Sequence, residues 1–327
     1  MAPSIKQQLI AALSNANGQF LSGQALAEMI GCSRTAIWKH IEELRKSGFE
    51  LEAVRKKGYR IIELPDQMTE NEILFGLTTE CFGRHIYHFD KIDSTQVKAH
   101  QLAEKGAPEG TVVIAEEQTS GRGRMSRPWH SLKKKGVWMS FIVRPKLHLQ
   151  QAPQFTLITA IAVVKAIEET TGLEPEIKWP NDILLNGKKI TGILTELQGE
   201  ADHIHYLIIG IGMNVNHAKA DFPEEVKEIA TSLAIEKGEQ VARAVLVQNV
   251  LKNFEKYYQL YVEKGFAPLK LLWESYAVSI GKTIVAKTLT SEITGKAVGI
   301  TEEGVLKIEG EDGQIHHIYS ADIEIKS

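Results

Sequence analysis

The stretch "KWPNDILLNGKKITGIL", residues 178–194, holds charged side chains on both sides of the turn of a β-hairpin predicted over residues 183–200. Asn186-Gly187 is a dipeptide typical of tight two-residue turns between antiparallel strands. Lys178 precedes a bulky Trp and a rigid Pro, and Asn181 and Asp182 are polar residues at the end of a strand. Lys189 leads into the returning strand. A Pro-Asn-Asp run is also ordinary turn chemistry, so this hairpin alone does not identify a site.

The sequence around this hairpin predicts a mixed sheet. Apolar runs bounded by turn residues predict strands, and apolar residues at helical spacing predict helices. Further strands are expected over residues 85–92, 110–118, 136–145 and 204–216, and helices over 93–106, 154–172 and 243–265. The regular strand–helix alternation of a doubly wound fold is missing, so we expect an α+β multidomain protein with a central mixed α/β-sheet domain.

The first 65 residues predict a separate winged helix-turn-helix. Two short helices with apolar faces precede "SRTAIWKHIEELRKSG", residues 33–48. Those faces consist of Ile5, Leu9, Ile10, Leu13, Leu26, Met29 and Ile30. In the third helix Ser33 is a good N-cap, and Ile37, Ile41 and Leu44 form the inward stripe. Residues 49–64 then alternate like a hairpin, which matches the wing of such a domain.

This predicted helix-turn-helix domain, residues 1–65, is called the head below. It is rich in positively charged residues, although the whole chain carries a net charge of −3. Residues with side chains or backbone suited to DNA contacts gather on the third helix, at its approach and at the hairpin tip. The candidate DNA-binding residues are Gly23, Ser33, Arg34, Thr35, Trp38, Lys39, His40, Lys56 and Lys57, with Arg55 and Arg60 beside them. A small helical protein-interaction domain is the alternative interpretation.

Two boundaries divide the chain into three expected domains. Pro65 and Asp66 break the last hairpin strand, and Thr69 with Glu72 forms a capping box that starts a new helix. We therefore expect domains over residues 1–65, 66–274 and 275–327. The last consists of short alternating strands parted by glycine turns and predicts a small SH3-like β-barrel, with a plain packing module as the alternative.

Composition narrows the class of protein. The 327 residues include only Cys32 and Cys81, which do not form a spaced disulfide framework. The N-terminus lacks a signal-peptide pattern, and the longest apolar run, 207–213, is too short to span a membrane. We expect a cytoplasmic protein without membrane contact. Walker A, dinucleotide-fingerprint and zinc-spacing motifs are all missing, and no metal ligands are predicted.

A second motif, "GRGRMSRPWH" at residues 121–130, is suited to binding small anions. Gly121 and Gly123 allow close backbone approach. Its three arginines, Arg122, Arg124 and Arg127, can pair with a phosphate and a carboxylate, and Trp129 offers a stacking face. The alternative interpretation of these arginines is a solvated surface or a nucleic-acid contact.

A third motif, "DSTQ" at residues 93–96, places polar groups at the start of a helix, where they can contact a ligand. The alternative interpretation is plain N-capping of that helix by Ser94.

Taken together, "GRGR…W", "KWPND" and "KKITGIL" resemble the ligase domain of the bifunctional biotin–protein ligases that also repress the biotin operon. The helix-turn-helix head and the β-rich tail resemble that family too, so the resemblance covers essentially the whole chain. It implies a two-step reaction. Biotin and ATP give biotinyl-5′-AMP and pyrophosphate, and a lysine of the biotin carboxyl carrier protein of acetyl-CoA carboxylase then takes the biotinyl group.

The resemblance also implies a role for each motif residue. Those holding the ureido end of biotin would be Ser94, Thr95, Gln96 and Gln118. Those lining its bicycle would be Gly192, Ile193 and Gly210. Arg122, Gly123 and Arg124 would close over biotin and phosphate, and Lys189 would bridge the carboxylate and the α-phosphate. Trp129 would stack near adenine, with Arg127 and Asn214 near the nucleotide. Lys178 and Asp182 would serve phosphates, Mg²⁺ or the incoming amine. The loop departs from the family pattern at Met125, Ser126 and Pro128.

The same resemblance implies partners. These are biotin, ATP and Mg²⁺, the carrier protein with other biotin-dependent carboxylases, operator DNA of biotin genes, and a second copy of the chain in a ligand-promoted homodimer. Two alternatives come from other classes. A lipoate–protein ligase would share the catalytic fold without needing the DNA-binding head. A non-catalytic, ligand-sensing repressor would bind an anion without consuming ATP.

Overall fold

The computed structural model describes residues 5–16, 18–46, 49–63, 68–200, 203–288 and 290–326. The chain forms two compact units, Met1–Gln67 and Met68–Ser327. The expected break at Pro65 and Asp66 lies outside the described residues. The two predicted boundaries, and the three domains they define, therefore stay predictions.

The first unit has the predicted order of three helices and a hairpin. Helices α1 (Ile5–Asn15), α2 (Gly23–Ile30) and α3 (Arg34–Lys46) precede strands β1 (Glu50–Val54) and β2 (Gly58–Glu63). The α2 helix ends at Gly31, which adopts a left-handed conformation with φ 74°. Ser33 caps α3 as predicted, because its Oγ accepts a hydrogen bond from the Ala36 backbone N–H at 3.1 Å.

Fewer apolar residues are buried in the core of this unit than the sequence suggests. Leu9, Leu13, Ile37, Ile41 and Leu44 are buried as expected. However, the prediction was wrong for two residues, since Ile5 is 38% exposed and Met29 is 66% exposed. Ile5 is the first residue of α1, at the edge of the packed surface. Met29 lies to one side of the buried face of α2, which is formed by Leu26 and Ala27. A unit this small covers only a thin strip of each helix.

The wing is fixed to the chain that joins α1 and α2. Leu21 and Tyr59 exchange two backbone hydrogen bonds of 2.9 Å. Gly58 begins β2 with φ 112°, and a Cβ there would overlap the backbone of Leu21. Only glycine fits this close approach.

The second unit is built on a seven-stranded mixed sheet with the order β3-β4-β5-β9-β8-β7-β6. The strands are β3 (His85–Phe89), β4 (Thr111–Ala115), β5 (Gly136–Val143), β6 (Glu176–Lys178), β7 (Asp182–Leu185), β8 (Lys188–Glu200) and β9 (His203–Asn214). Strands β3 and β4 are parallel, and the other neighbours are antiparallel. The opening hairpin is β7–β8, with Asn186 at φ 50° and Gly187 at φ 76° in its turn. The mixed α+β sheet is confirmed.

Helices cover this sheet. They are α4 (Glu70–Gly76), α5 (Thr95–Glu104), α6 (Ala152–Thr171), α7 (Leu233–Lys237), α8 (Arg243–Lys264) and α9 (Ala267–Tyr276). The predicted capping box of α4 is present. The long α6 is buried and ends at the left-handed Gly172, as expected. Helix α5 packs with a smaller cluster on the sheet that includes Val113 and Ile208. No helix of the described chain is both long and apolar enough to cross a membrane.

The tail forms a five-stranded antiparallel sheet in the order β13-β12-β11-β10-β14. Its strands are β10 (Thr283–Lys287), β11 (Glu292–Ile300), β12 (Leu306–Glu309), β13 (Ile315–Ile318) and β14 (Asp322–Ile325). Its apolar face joins the core of the central sheet. The Trp179 indole N–H also donates to the Gly304 carbonyl at 3.2 Å. The tail thereby brings residues 319–322 to the candidate site described next.

Candidate active site

A cavity of about 310 Å³ lies in the second unit, over strands β8 and β9. It is enclosed by the start of α5, the segment between β4 and β5, and the chain that follows β9. Nearly all predicted ligand residues line it, namely Ser94, Thr95, Gln96, Gln118, Arg122, Gly123, Arg124, Arg127, Trp129, Asp182, Lys189, Gly192, Ile193, Gly210 and Asn214. Of the residues predicted to serve biotin, ATP or the reaction, Lys178 is the one outside the lining; it lies on β6, paired in register with Asp182.

One end of the cavity carries a neutral hydrogen-bond network. Gln118 Oε1 accepts the backbone N–H of Thr95 at 2.8 Å and its hydroxyl at 3.1 Å. The Thr95 and Ser140 hydroxyls lie 2.9 Å apart, and Ser140 donates to Gln96 Oε1 at 3.0 Å. Each group orients its neighbour, so this end presents fixed donors and acceptors to a neutral polar ligand group. Ser94 is buried and makes no side-chain cap, so plain N-capping does not explain it.

Glycines form the floor of the cavity. A Cβ at Gly210 would overlap the carboxamide of Gln96, and a Cβ at Gly212 would overlap the indole of Trp129. Gly192, the register partner of Gly212, also lies beneath that indole. Side chains larger than hydrogen at these positions would displace the Gln96 carboxamide or the Trp129 indole.

After β4 and Glu116, residues 117–135 lead to β5, and we call them the arginine loop. Its middle folds back on itself, because Trp129 N–H donates to Gly121 O and Gly123 N–H donates to Arg127 O, both at 2.8 Å. At its tip Met125 and Ser126 have φ values of 54° and 58°. Side chains favour these left-handed conformations far less than glycine does. Two adjacent residues with side chains in this conformation place backbone strain at the tip of the loop.

Each arginine of the loop has a partner on a different element. Arg122 contacts both carboxylate oxygens of Glu196 on β8 at 3.1 Å. Arg124 donates to Asn181 Oδ1 at 3.0 Å and to Ser320 Oγ at 2.7 Å. Arg127 forms an ion pair with Asp322. The loop is therefore held by the sheet and the tail together.

Four of these groups, Arg124, Arg127, Glu196 and Asp322, have shifted pKa values, and two of them bear on the site's charge. Burial lowers the pKa of Arg124, and the carboxylates of Asp322 and Asp182 oppose that shift. A hydrogen bond from His100 is the main cause that lowers the pKa of Glu196 to about 2, with Gln96 and Arg122 contributing despite the opposing effect of burial. Glu196 is thus ionised at neutral pH and available as the counter-charge of Arg122.

Lys189 is the fourth cation of the cavity. Its Nζ lies 2.6 Å from Asp182 Oδ1 and 5.4 Å from the centre of the Trp129 ring. The hairpin thus places an ammonium group between a carboxylate and an aromatic face, where it can turn toward an incoming anion.

Several lining residues were not predicted. Ser140 is a polar residue inside the apolar strand "VWMSFIV", and this break in the pattern could have predicted it as a site residue. The segment after β9 adds His217, Asp221, Phe222, Pro223, Val226, Ile229 and Ala230. Burial lowers the pKa of His217 to about 4. Asp322 and Ser320 are far from the arginines in sequence, and no local pattern reveals such a contact.

Comparison with known proteins agrees with this geometry. The Biotin/lipoate A/B protein ligase family matches residues 88–214, an HTH domain matches residues 6–60, and the Biotin protein ligase C terminal domain matches residues 279–326. The bifunctional ligase/repressor BirA of Bacillus subtilis is 55% identical over 325 residues, which cover 99% of this chain and 100% of BirA. BirA of Escherichia coli is 30% identical, over 99% and 98% of the two chains.

A solved structure supports the same class. The Aquifex aeolicus biotin protein ligase in complex with biotin and ATP matches with a TM-score of 0.65 and 33% identity, over 74% of this chain and 99% of that one. Fold and cavity thus define a protein ligase of the biotin class with an added helix-turn-helix. The chain belongs to the family of bifunctional biotin ligase/repressors.

Proposed function

We propose that this protein is an ATP-dependent ligase that makes biotinyl-5′-AMP and transfers biotin to a lysine of the biotin carboxyl carrier protein. We further propose that it represses the biotin operon with biotinyl-AMP as corepressor. The observation that carries the proposal is the polarity of one cavity. A neutral hydrogen-bond network lies at one end, and Arg122 is next to it because its partner Glu196 also contacts Gln96. The cations Arg124, Arg127 and Lys189 cluster with Asn181, Asp182 and Asp322 at the other end.

This polarity suits the two ends of biotin. The ureido group is neutral and needs both donors and acceptors, which Thr95, Gln96 and Gln118 offer, with Ser94 beside them. The bicycle is flat and apolar and would lie over Gly192, Ile193 and Gly210. The carboxylate then points toward the cations, where it has to meet the α-phosphate of ATP.

The first step joins two anions, so charge is its main obstacle. A biotin carboxylate oxygen attacks the α-phosphorus, and pyrophosphate leaves. Lys189 would leave Asp182 to contact both the carboxylate and the α-phosphate, while Arg122 and Arg124 would neutralise the oxygens that gain charge. In the second step the carrier lysine amine attacks the acyl carbon, AMP leaves and a proton is lost. No covalent enzyme intermediate is required.

The nucleotide would occupy the cationic end. Trp129 would stack on adenine, with Arg127 and Asn214 nearby. Mg²⁺ commonly binds through one or two carboxylates together with substrate phosphates. Across the described residues no cluster of three or more metal-binding side chains exists, but Asp182 fits this shared mode once Lys189 moves to the phosphate. Bound Mg²⁺ would add charge neutralisation at the leaving pyrophosphate. Lys178, outside the cavity lining, is proposed to assist at the phosphates or the incoming amine.

The first unit would bind operator DNA. Helix α3 would enter the major groove with Arg34, Thr35, Trp38, Lys39 and His40, and Trp38 is 57% exposed. Gly23 and Ser33 would approach the backbone, and Lys56 and Lys57 would reach phosphates from the wing tip. ATP and operator DNA are found in the cytoplasm, so we propose that the protein works there.

Repression would use a homodimer formed through the central sheet. Strand β8 pairs with β9 along residues 191–200, but β7 covers only residues 188–192 of its other side. Among the described residues no strand pairs with that side beyond Ile193. An unpaired edge is a ready site for adding another strand. Either a second copy or a carrier protein could use this edge, so we propose that they compete for it.

Biotin-dependent exchange of pyrophosphate into ATP tests the catalytic proposal, followed by transfer of biotin to a purified carrier domain. Exchange with biotin but not lipoate is the expected result. Exchange with lipoate alone would assign a lipoate–protein ligase instead. Ligand-dependent DNA binding without any exchange would assign a non-catalytic, ligand-sensing repressor.

A further inference from the structure

A buried ion pair lies at the base of the arginine loop, behind the cavity. Glu116 follows the end of β4, and Arg243 is the first residue of α8. Arg243 Nη1 lies 2.8 Å from Glu116 Oε2, and the two side chains are 0% and 4% exposed. Neither residue lines the cavity.

This pair joins the two stems of the loop. Arg243 Nη1 also donates to the carbonyl of Gly136, at 3.1 Å, where β5 begins. One guanidinium therefore contacts the residue before the loop and the residue after it. The second oxygen of Glu116 accepts the backbone N–H of Met68 at 3.2 Å, so that carboxylate oxygen is also satisfied.

Backbone hydrogen bonds between the two sides of the loop connect its base to its tip. Lys134 N–H donates to Glu116 O at 3.2 Å, and Gln118 N–H donates to Ser131 O at 3.2 Å. The Gly121–Trp129 and Gly123–Arg127 bonds described above continue this series. A displacement at the base therefore moves three lining residues of the cavity, Gln118, Arg122 and Arg124.

We propose that Glu116 and Arg243 are positioning residues of the reaction, holding the arginine loop in the geometry that retains the adenylate. This inference rests on the proposed ligase function. Burial raises the pKa of Glu116, but His88 and Arg243 outweigh it and bring that pKa to about 2, so the carboxylate is charged at neutral pH. A buried ion pair often contributes no more to stability than apolar residues of the same volume. Its contacts to both stems give it a role beyond packing.

The test uses the full-length protein with paired substitutions. Glu116→Gln/Arg243→Met removes both charges together, so that neither is left buried alone. Arg243→Lys keeps the charge and serves as the rescue variant. The matched control is Glu255→Gln, because Glu255 is also a buried carboxylate but lies on α8, away from Glu116 in the sequence. It accepts the backbone N–H groups of Glu80, Cys81 and Phe82 and does not touch the loop.

Two quantities are measured below each variant's unfolding temperature. One is amide hydrogen exchange at Gly123 and Trp129 without ligand, and the other is the dissociation rate of pre-formed biotinyl-AMP. In the double variant we expect both to rise about tenfold, with partial recovery in Arg243→Lys. Glu255→Gln should speed exchange only at residues 80–82.

Two results would overturn the inference. One is loop exchange in the double variant that equals the control, and the other is adenylate dissociation within about twofold of the parent despite a lowered Tm. If the parent itself fails to bind biotinyl-AMP, the proposed function fails. The ligand-free exchange measurement still decides whether the pair anchors the loop.

Discussion

Lys189 is expected to act mainly in the first chemical step. Its ammonium is held 2.6 Å from Asp182, at the cationic end of the cavity. Adenylation brings the anionic carboxylate up to the anionic α-phosphate, whereas in transfer an uncharged amine attacks the acyl carbon and charge builds up only on the departing AMP. Lys189→Gln should therefore reduce biotin-dependent pyrophosphate exchange by about 10²–10³-fold, the range seen when one preorganised donor is lost. Transfer from pre-formed biotinyl-AMP should fall far less.

Lys188→Gln is the matched control for this prediction. Lys188 is the adjacent lysine of β8 and does not line the cavity. It should leave both steps close to the parent rates. Equal losses of adenylation and transfer in Lys189→Gln would indicate a general binding role instead.

His217 should make the stability of the second unit sensitive to mild acid. It is 3% exposed, and burial lowers its pKa from 6.5 to about 4, outweighing Asp221. The unfolded chain takes up a proton below pH 6.5, while the folded protein resists until about pH 4. This contribution is therefore present above pH 6.5 and lost as the pH falls toward 4.

His217→Phe should remove that pH dependence while keeping the stacking on Phe222, whose ring centre is 5.1 Å away. Between pH 7 and pH 5 the parent's free energy of unfolding should fall by roughly 2 kcal/mol more than that of the variant. Urea unfolding at both pH values measures this difference. Parallel losses in the two proteins would mean that His217 is not held neutral.

Among single residues, the sequence predicted which side chains line the cavity better than it predicted their partners within the protein. Lys189, Gln118 and the arginines stand in short motifs with recognisable chemistry, and the structure brings them to one cavity. The partners of Arg124 and Arg127 in the tail were not predictable, because a contact across nearly 200 residues leaves no local pattern. Lys178 is an example of a failed prediction of this kind, because it belongs to the KWPND motif but does not line the cavity.

At the scale of elements, helix α3 and the wing should contribute differently to DNA binding. Side chains at the start of α3 can reach base edges, whereas Lys57 at the wing tip can reach only phosphates. Arg34→Ala should lower the preference for operator over random DNA by about 1–3 kcal/mol. Lys57→Ala should weaken both affinities alike and reduce the salt slope by about one.

Electrophoretic mobility shifts at several salt concentrations measure both effects. Lys105→Ala is the control, because it removes one charge from an exposed residue outside the head. A change in operator preference in Lys57→Ala equal to that in Arg34→Ala would contradict this division between helix and wing.

The elements themselves were largely predictable, but their order in the sheet was not. Helices α3, α6 and α8 and the β7–β8 hairpin follow from local periodicity, caps and turn chemistry. Short elements such as β6 and α7 have too few residues to show a period. The neighbours β5 and β9 pair across more than sixty residues, and such a register is set by tertiary packing alone.

For the whole molecule, the first test is removal of residues 1–65. Each compact unit has its own buried core, and the buried residue Met68 already belongs to the second. The shortened protein should lose DNA binding and keep a cooperative unfolding transition and ligase activity at saturating biotin and ATP. Circular dichroism and carrier biotinylation measure this. A folded but inactive product would show that the head is needed for catalysis.

The second test concerns the switch between ligase and repressor. A head has one recognition helix, so an operator with two half-sites needs a dimer. Arg122 of the arginine loop binds Glu196, a residue of the partly unpaired strand β8. Ordering of the loop by a bound adenylate would therefore stabilise the strand edge that we propose as the interface, and it would lower the entropic cost of pairing.

We accordingly expect biotinyl-AMP to promote dimerisation more than biotin does, because only the adenylate reaches both ends of the cavity. By linkage, the dimer must bind the adenylate tighter by the same factor by which the adenylate strengthens the dimer. Sedimentation equilibrium with no ligand, with biotin and with biotinyl-AMP measures one side of this relation, and adenylate affinity at high and low protein concentration measures the other. Excess carrier protein should reverse the dimerisation by taking the same edge. Equal dimer affinity in all three conditions would leave the DNA-binding unit without this switch, and ligand control of repression would then have to act within a single chain.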